Sequence, residues 1–162
     1  MRISRTTHFD ATVDDVFAVV ASEDHQQAKV ATELGRSSAA VTDLGGGRTR
    51  VRTERVLPTR GMPAAVSSLV GDTLTVTEEQ TWRPVGPDGT RSADLGIRVA
   101  GAPVQMRGTV TLSPAGEGSD LVVTGDLTCS VPILGRKIET AAKPTIEESF
   151  DHEVRLLSER LR

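Results

Sequence analysis

Three histidines and one cysteine are the side chains in this sequence that most readily bind metals or attack substrates. His8, His25 and His152 lie far apart, and no compact set of His, Cys, Asp and Glu residues surrounds them. Because zinc sites usually show closely spaced ligands, the sequence predicts no metal site. The polar context SEDHQQ places His25 at an expected solvated helix start. Cys129 ends an apolar strand pattern without a neighbouring base, which favours a buried structural thiol over a nucleophile.

Glycine-rich and serine motifs give no sign of a cofactor. The run Gly45-Gly46-Gly47 is not followed by the Lys-Ser/Thr pair of a phosphate-binding loop, and no serine lies in a G-x-S-x-G nucleophile elbow. The triple glycine is therefore interpreted as a hairpin turn. We expect no cofactor, and no residue is assigned a catalytic role by motif.

Glu78 is the strongest candidate for a functional carboxylate. In a strand it shares its face with Val76, Gln80 and Trp82, so it is expected to point toward an apolar interior. An inward carboxylate is costly unless it is paired or protonated, and Arg5 on the first strand is a candidate partner. The alternative is that Glu78 and Gln80 lie near the rim of the sheet and contact water, because alternation determines the face but not the depth.

Charge and aromatic content argue against nucleic acid as a partner. The net charge is −3, and aromatic residues make up only 2% of the 162 residues, whereas single-strand binding surfaces combine a basic groove with stacking aromatics. The basic row Arg48, Arg50 and Arg52 is expected on a solvated outer strand face rather than at an anion site. A single cysteine, the absence of an apolar export segment and the absence of a long apolar run predict a cytoplasmic protein without a membrane span.

The candidate residues must be positioned by a sheet and a long helix. The length favours one domain over residues 1–162. Helices are expected from Asp10 or Thr12, over 23–34, and from about Lys137 to the end, with Pro144 dividing or kinking the last one. Alternation and short Gly/Pro connections predict an antiparallel meander with strands at 2–9, 37–43, 48–57, 73–83, 90–99, 104–113 and 119–129.

Three further features could shape a cavity. Gly108 and Gly125 lie within apolar strands, where they are expected to leave room on the inner face. The segment 61–72 predicts a short helix that serves either as a lid over a cavity or as a plug in the core. The bend VPILG at 131–135 is expected to leave the strand extended at Pro132 and to turn sharply at Gly135.

Two motifs resemble a known superfamily. The opening FDATVDDVFAVVAS, and the pair VPILGRKIE and ESFDHEVRLLSERL, are similar to the START-like (SRPBCC) superfamily, and most similar to a bacterial domain family of unknown function within it. The resemblance implies an α+β helix-grip fold, in which a curved seven-stranded antiparallel sheet wraps a long C-terminal helix and two short helices follow the first strand. START-like proteins bind lipids, sterols, polyketides or plant hormones between sheet and helix, and some are cyclases.

We therefore expect noncovalent binding of a small hydrophobic or amphipathic molecule between the sheet and the last helix. The alternatives are a cyclase or dehydratase that uses Glu78 as acid or base, and an interaction module whose core is full. The residues expected to line the ligand site are Val76, Glu78, Gln80, Trp82, Leu95, Ile97, Met106, Gly108, Val123, Ile146, Phe150 and Val154.

Overall fold

Alternating apolar residues and glycine-containing turns fold the chain into a curved, unclosed antiparallel sheet. The structure is a computed structural model that describes residues 1–32 and 34–162. In the described residues, the seven strands lie in the order β1-β7-β6-β5-β4-β3-β2. The elements are β1 (Arg2–Phe9), α1 (Val13–Val20), α2 (Glu23–Val30), β2 (Ser37–Gly45), β3 (Arg48–Pro58), α3 (Ala64–Val70), β4 (Thr73–Trp82), β5 (Arg91–Val99), β6 (Val104–Ala115), β7 (Gly118–Cys129) and α4 (Gly135–Arg160).

The core lies between the concave face of the sheet and α4. Apolar side chains at every second strand position, such as Ile3, Met106 and Leu112, form one core cluster with Phe150 and Leu157 of α4. The predicted α+β helix-grip fold is confirmed. No helix in residues 1–32 or 34–162 is both long enough and apolar enough to cross a membrane.

Capping residues determine where the first two helices begin. The Thr12 hydroxyl accepts a hydrogen bond from the Asp15 amide at 3.1 Å, and the Ser22 hydroxyl accepts one from the His25 amide at 3.2 Å. Of the two predicted caps for α1, Thr12 is the one used. The second helix ends at Val30, earlier than the predicted residue 34, and residue 33 of that prediction lies outside the described residues.

The last helix and the bend before it differ from two predictions. Helix α4 continues through Pro144, so the division into two segments is not found. Pro144 is exposed, and the Thr140 carbonyl that it leaves without an amide donor is on an exposed residue where water can bond to it. The sharp turn occurs at Ile133, with φ of 68°, rather than at Gly135. Gly135 is instead buried against the Cys129 carbonyl, where a side chain would not fit.

The prediction that Gly108 and Gly125 leave space on the inner face is wrong. The two glycines are direct partners across β6 and β7. A Cβ at position 108 would lie 2.5 Å from the Gly125 Cα and would also overlap the Thr124 carbonyl oxygen. The glycines therefore allow two backbones to approach closely, and they do not enlarge a cavity.

Gly108→Ala should destabilise the protein strongly, because the new methyl group meets backbone atoms that cannot rotate away. We expect the free energy of unfolding to fall by about 3 kcal/mol. Gly96→Ala is the matched control, since Gly96 lies on the adjacent strand and a Cβ added there would have no other atom within 4 Å. Urea unfolding of both variants measures the difference, and equal stability of the two would contradict the close-approach role.

Candidate functional site

The inner face of β4 carries a chain of hydrogen-bonded polar side chains. The Trp82 indole donates to Gln80 Oε1 at 3.0 Å, and the Gln80 amide donates to Glu78 Oε1 at 2.9 Å. Trp82 and Gln80 are buried, and Glu78 is largely so. The inward orientation predicted for Glu78 is confirmed, and the solvated rim position is not what the structure shows.

Lys29 of α2 is the partner of Glu78. Its ammonium lies 3.0 Å from Glu78 Oε1 and 3.4 Å from Glu153 Oε2, and the residue is only 6% exposed. The predicted pairing with Arg5 is wrong, because the Arg5 guanidinium is bonded to carboxylates of α4 instead: Glu147 at 2.8 Å and Asp151 at 3.2 Å. Lys29 therefore joins α2, β4 and α4 inside the protein.

His25 belongs to the same buried cluster. It is 0% exposed, so the predicted solvated position is wrong. The reason is that residues 25 and 29 are one helical turn apart and share the face of α2 that packs inward. The Nε2 atom of His25 lies 3.6 Å from Glu153 Oε1, and neither ring nitrogen has a hydrogen-bond partner among the described residues.

Electrostatic pairing offsets the cost of burying these groups. Burial raises the pKa of Glu153, but the Lys29 ammonium and the His25 ring oppose it and bring the pKa to about 2. Burial lowers the pKa of Lys29, but the carboxylates of Glu153 and Glu78 outweigh burial, so the pKa is raised overall. Both ions are thus held in their charged forms near neutral pH.

An apolar cavity of about 90 Å³ lies on one side of this ion cluster, between α3, α4 and the sheet. Residues of α3 line one part of it, and residues of β3 to β6 line another. Its lining includes Val66 and Leu69 of α3, Leu74 and Val76 of β4, and Ala142 and Ile146 of α4.

The concave face on the other side of the ion cluster is filled by side chains. Trp82, Leu95, Val123 and Phe150 pack together there and leave a void of about 20 Å³, enough for about one water molecule. A second void of similar size lies beside Val154. A ligand larger than water therefore has no room in this part of the fold.

The predicted lining residues consequently separate into different environments. Val76 and Ile146 line the 90 Å³ cavity, whereas Gln80, Trp82, Leu95, Val123, Phe150 and Val154 border the small voids. Ile97 and Met106 are packed in the core, Glu78 is in the ion cluster, and Gly108 is at the strand contact.

Sequence reasoning missed Lys29 and Glu153, whereas the helix predicted within 61–72 does line the cavity, as α3. One signal was available for Glu153: it lies three residues after Phe150 and four before Leu157, which places it on the buried stripe of α4. The adjacent small residues Ala141 and Ala142 likewise mark the place where α4 leaves room. Cys129, expected to be buried, is half-buried at the end of β7.

The ion cluster predicts a specific loss of stability in acid. In the unfolded chain Glu153 takes up its proton near its ordinary pKa of 4.5, whereas in the folded protein it does so near 2. The unfolded state therefore binds more protons between these values, and about 3 kcal/mol of stability present above pH 4.5 is lost as the pH falls toward 2. Glu153→Gln should lower the free energy of unfolding at neutral pH by a similar amount. It should also remove this contribution to the decrease in stability between pH 4.5 and pH 2.

Urea unfolding at neutral pH and at about pH 3 measures the effect. Glu159→Gln is the matched control, because Glu159 is an exposed glutamate on the same helix. If the stability of Glu153→Gln falls between neutral pH and pH 3 by as much as that of the wild-type protein, the buried pairing of Glu153 does not cause the decrease.

Comparisons with known proteins agree with the fold. An uncharacterized protein of Mycobacterium tuberculosis is 27% identical over 139 residues, which are 81% of this chain and 79% of that protein. A solved structure from Thermus thermophilus covers 99% of this chain and 97% of its own, with a TM-score of 0.64 and 18% identity. A STAR-related lipid transfer protein from Xanthomonas axonopodis covers 99% of this chain and 85% of its own, with a TM-score of 0.62 and 14% identity.

These structural neighbours show a shared START-like fold, and the family follows from the sequence match. The model of one family, described as a protein of unknown function (DUF2505), matches residues 4–161. The prediction of a family of unknown function with a START-like fold is confirmed, and the chain belongs to the DUF2505 family.

Proposed function

We propose that this protein binds a small apolar or amphipathic molecule noncovalently in the cavity between α3, α4 and the sheet. The observation that carries the proposal is the cavity of about 90 Å³, whose walls are mainly valine, leucine, isoleucine and alanine. Apolar cavities of this kind stay dry and accept apolar guests. The similarity in fold to a STAR-related lipid transfer protein supports a lipid-like guest.

The helix α3 is proposed to act as a lid rather than a plug. None of its seven residues is buried, and no side chain caps its first turn. Gly61 and Gly71 flank it with φ of 88° and 85°, a backbone region that favours glycine. An engineered cavity of about 150 Å³ holds benzene, so a guest of that size or larger requires this cavity to open. Movement of the weakly packed α3 supplies that opening.

The cyclase or dehydratase alternative depended on Glu78. In the structure Glu78 Oε1 accepts hydrogen bonds from Lys29 and Gln80, and Glu78 is not among the residues that line the apolar cavity. No observation in the described residues favours this alternative, or the interaction module, over ligand binding.

Filling the cavity should abolish binding of an apolar guest. Ala142→Leu places extra carbon atoms in the space that the guest occupies, and we expect the free energy of unfolding to change by less than about 1.5 kcal/mol. Calorimetric titration with 1-octanol measures binding. Thr140→Leu is the matched control, because Thr140 is exposed on the same helix and should leave binding intact. Equal binding by the two variants would place the guest elsewhere, and a wild-type protein that binds no apolar probe would contradict the proposal.

Hydrogen exchange tests the lid. Amides of residues 61–72 should exchange faster than those of 146–157, because α3 has few buried contacts and can open locally. Saturating 1-octanol should slow exchange in 61–72 and change 146–157 little. Equal protection of both segments, unchanged by a guest that binds, would make α3 a fixed part of the core.

A further inference from the structure

A groove of about 470 Å³, lined by both apolar and charged side chains, adjoins the apolar cavity. It lies between the end of α2, strand β3 and α4. The side chains that carry positive charge or can do so are Lys29, Arg55, His152 and Arg155, and the carboxylate that also lines it in the described residues is Glu148.

Arg55 connects the groove to the cavity. Together with Leu57, Met62 and Thr145, it lines both spaces, so an elongated molecule can occupy them at once. The Arg55 guanidinium donates to Ser149 Oγ, which anchors the side chain to α4. A guanidinium has five N–H groups, so this bond leaves donors for another acceptor.

Among the described residues, the one carboxylate that lines the groove, Glu148, faces two arginines and forms an ion pair with neither. Lys29 is balanced by Glu78 and Glu153, yet Arg55 is close enough to disfavour the charged form of Lys29. Within residues 1–32 and 34–162, no carboxylate lies within ion-pairing distance of Arg55 or Arg155. An anion between these side chains would reduce the repulsion and accept charge-assisted hydrogen bonds.

We propose that the ligand is a single-chain amphiphile with an anionic head, a carboxylate or a phosphate. The head lies in the groove against Arg55 and Arg155, and the apolar chain passes Arg55 into the cavity beneath α3. This inference rests on the proposed function and adds the chemical class of the ligand. The cavity has a volume of only about 90 Å³, so the apolar chain is short or requires α3 to open.

Matched probes separate the head from the chain. Octanoate and octyl phosphate carry the anionic head, 1-octanol has the same chain without charge, and acetate and inorganic phosphate are heads without a chain. In calorimetric titrations of the wild-type protein, an anionic probe should bind about tenfold more tightly than 1-octanol, as expected for a charge-assisted hydrogen bond. Added salt should weaken the anionic probe but not 1-octanol. The preferred anionic probe identifies the head.

Two variants and a control locate the head. Arg155→Gln, at an exposed position, should lower the affinity ratio of the anionic probe to 1-octanol several-fold, and Arg55→Gln combined with it should bring the ratio close to one. Arg52→Gln is the matched control, because Arg52 is on the outer face of the same strand, beside Glu54 and Glu79. The ratio compares two probes on one variant, so a general loss of stability does not imitate the effect.

The outcomes distinguish this inference from the proposed function. If 1-octanol and both anionic probes bind the wild-type protein equally, or if the variants leave the affinity ratio unchanged, the proposal of an anionic head is wrong. The proposal that the cavity binds an apolar molecule is then unaffected. If acetate or phosphate binds at Arg55 and Arg155 while 1-octanol does not bind, the groove is an anion site. The proposal that one ligand occupies the groove and the cavity together is then wrong. If no probe binds, both proposals are wrong.

Discussion

The pairing of Lys29 with Glu78 and Glu153 is the interaction on which the interior of this protein depends. Its three members come from α2, β4 and α4, so each of these elements must be in place before the charges are balanced. Removing one member leaves a buried charge without its partner, which costs far more than an exposed pair is worth. The requirement therefore restricts how α2 and α4 can pack on the sheet.

The same cluster divides the concave face into two parts. On the side of Trp82, aromatic and branched side chains fill the space and leave only voids of about 20 Å³. On the side of α3, the inner residues are smaller, with Ala142 and Val76 both lining the cavity of about 90 Å³. Charged groups are poor neighbours for an apolar guest, so the cluster confines any guest to the α3 side. The position of the cavity follows from this division and not from glycines in the sheet.

The strands and their order could be predicted because alternation and turn residues are local signals. Glu78 was assigned to the inner face correctly for that reason, since its parity is shared with Val76 and Trp82. Its partner, Lys29, could not be predicted from local alternation. Lys29 lies 49 positions earlier on a helix whose apolar residues are only Ala28 and Val30, so no apolar stripe indicated which face is buried.

The cavity was mislocated for a related reason. The sequence shows that Gly108 and Gly125 lack side chains, but only the register shows that they are opposite each other and bring backbones together. Trp82 and Phe150 were expected to face a guest because they point inward. Whether an inward side chain lines a cavity or fills it depends on the packing of the whole interior. Small residues on α4 opposite an apolar helix were the better indicator.

Crystallography under xenon pressure locates the space that an apolar guest can occupy, because xenon enters dry apolar cavities and is visible in the electron density. We expect xenon between α3 and α4, in contact with Val66, Leu69 and Ala142, and none beside Trp82. Xenon beside Trp82, or an α3 cavity that stays empty or contains ordered water, would contradict this expectation.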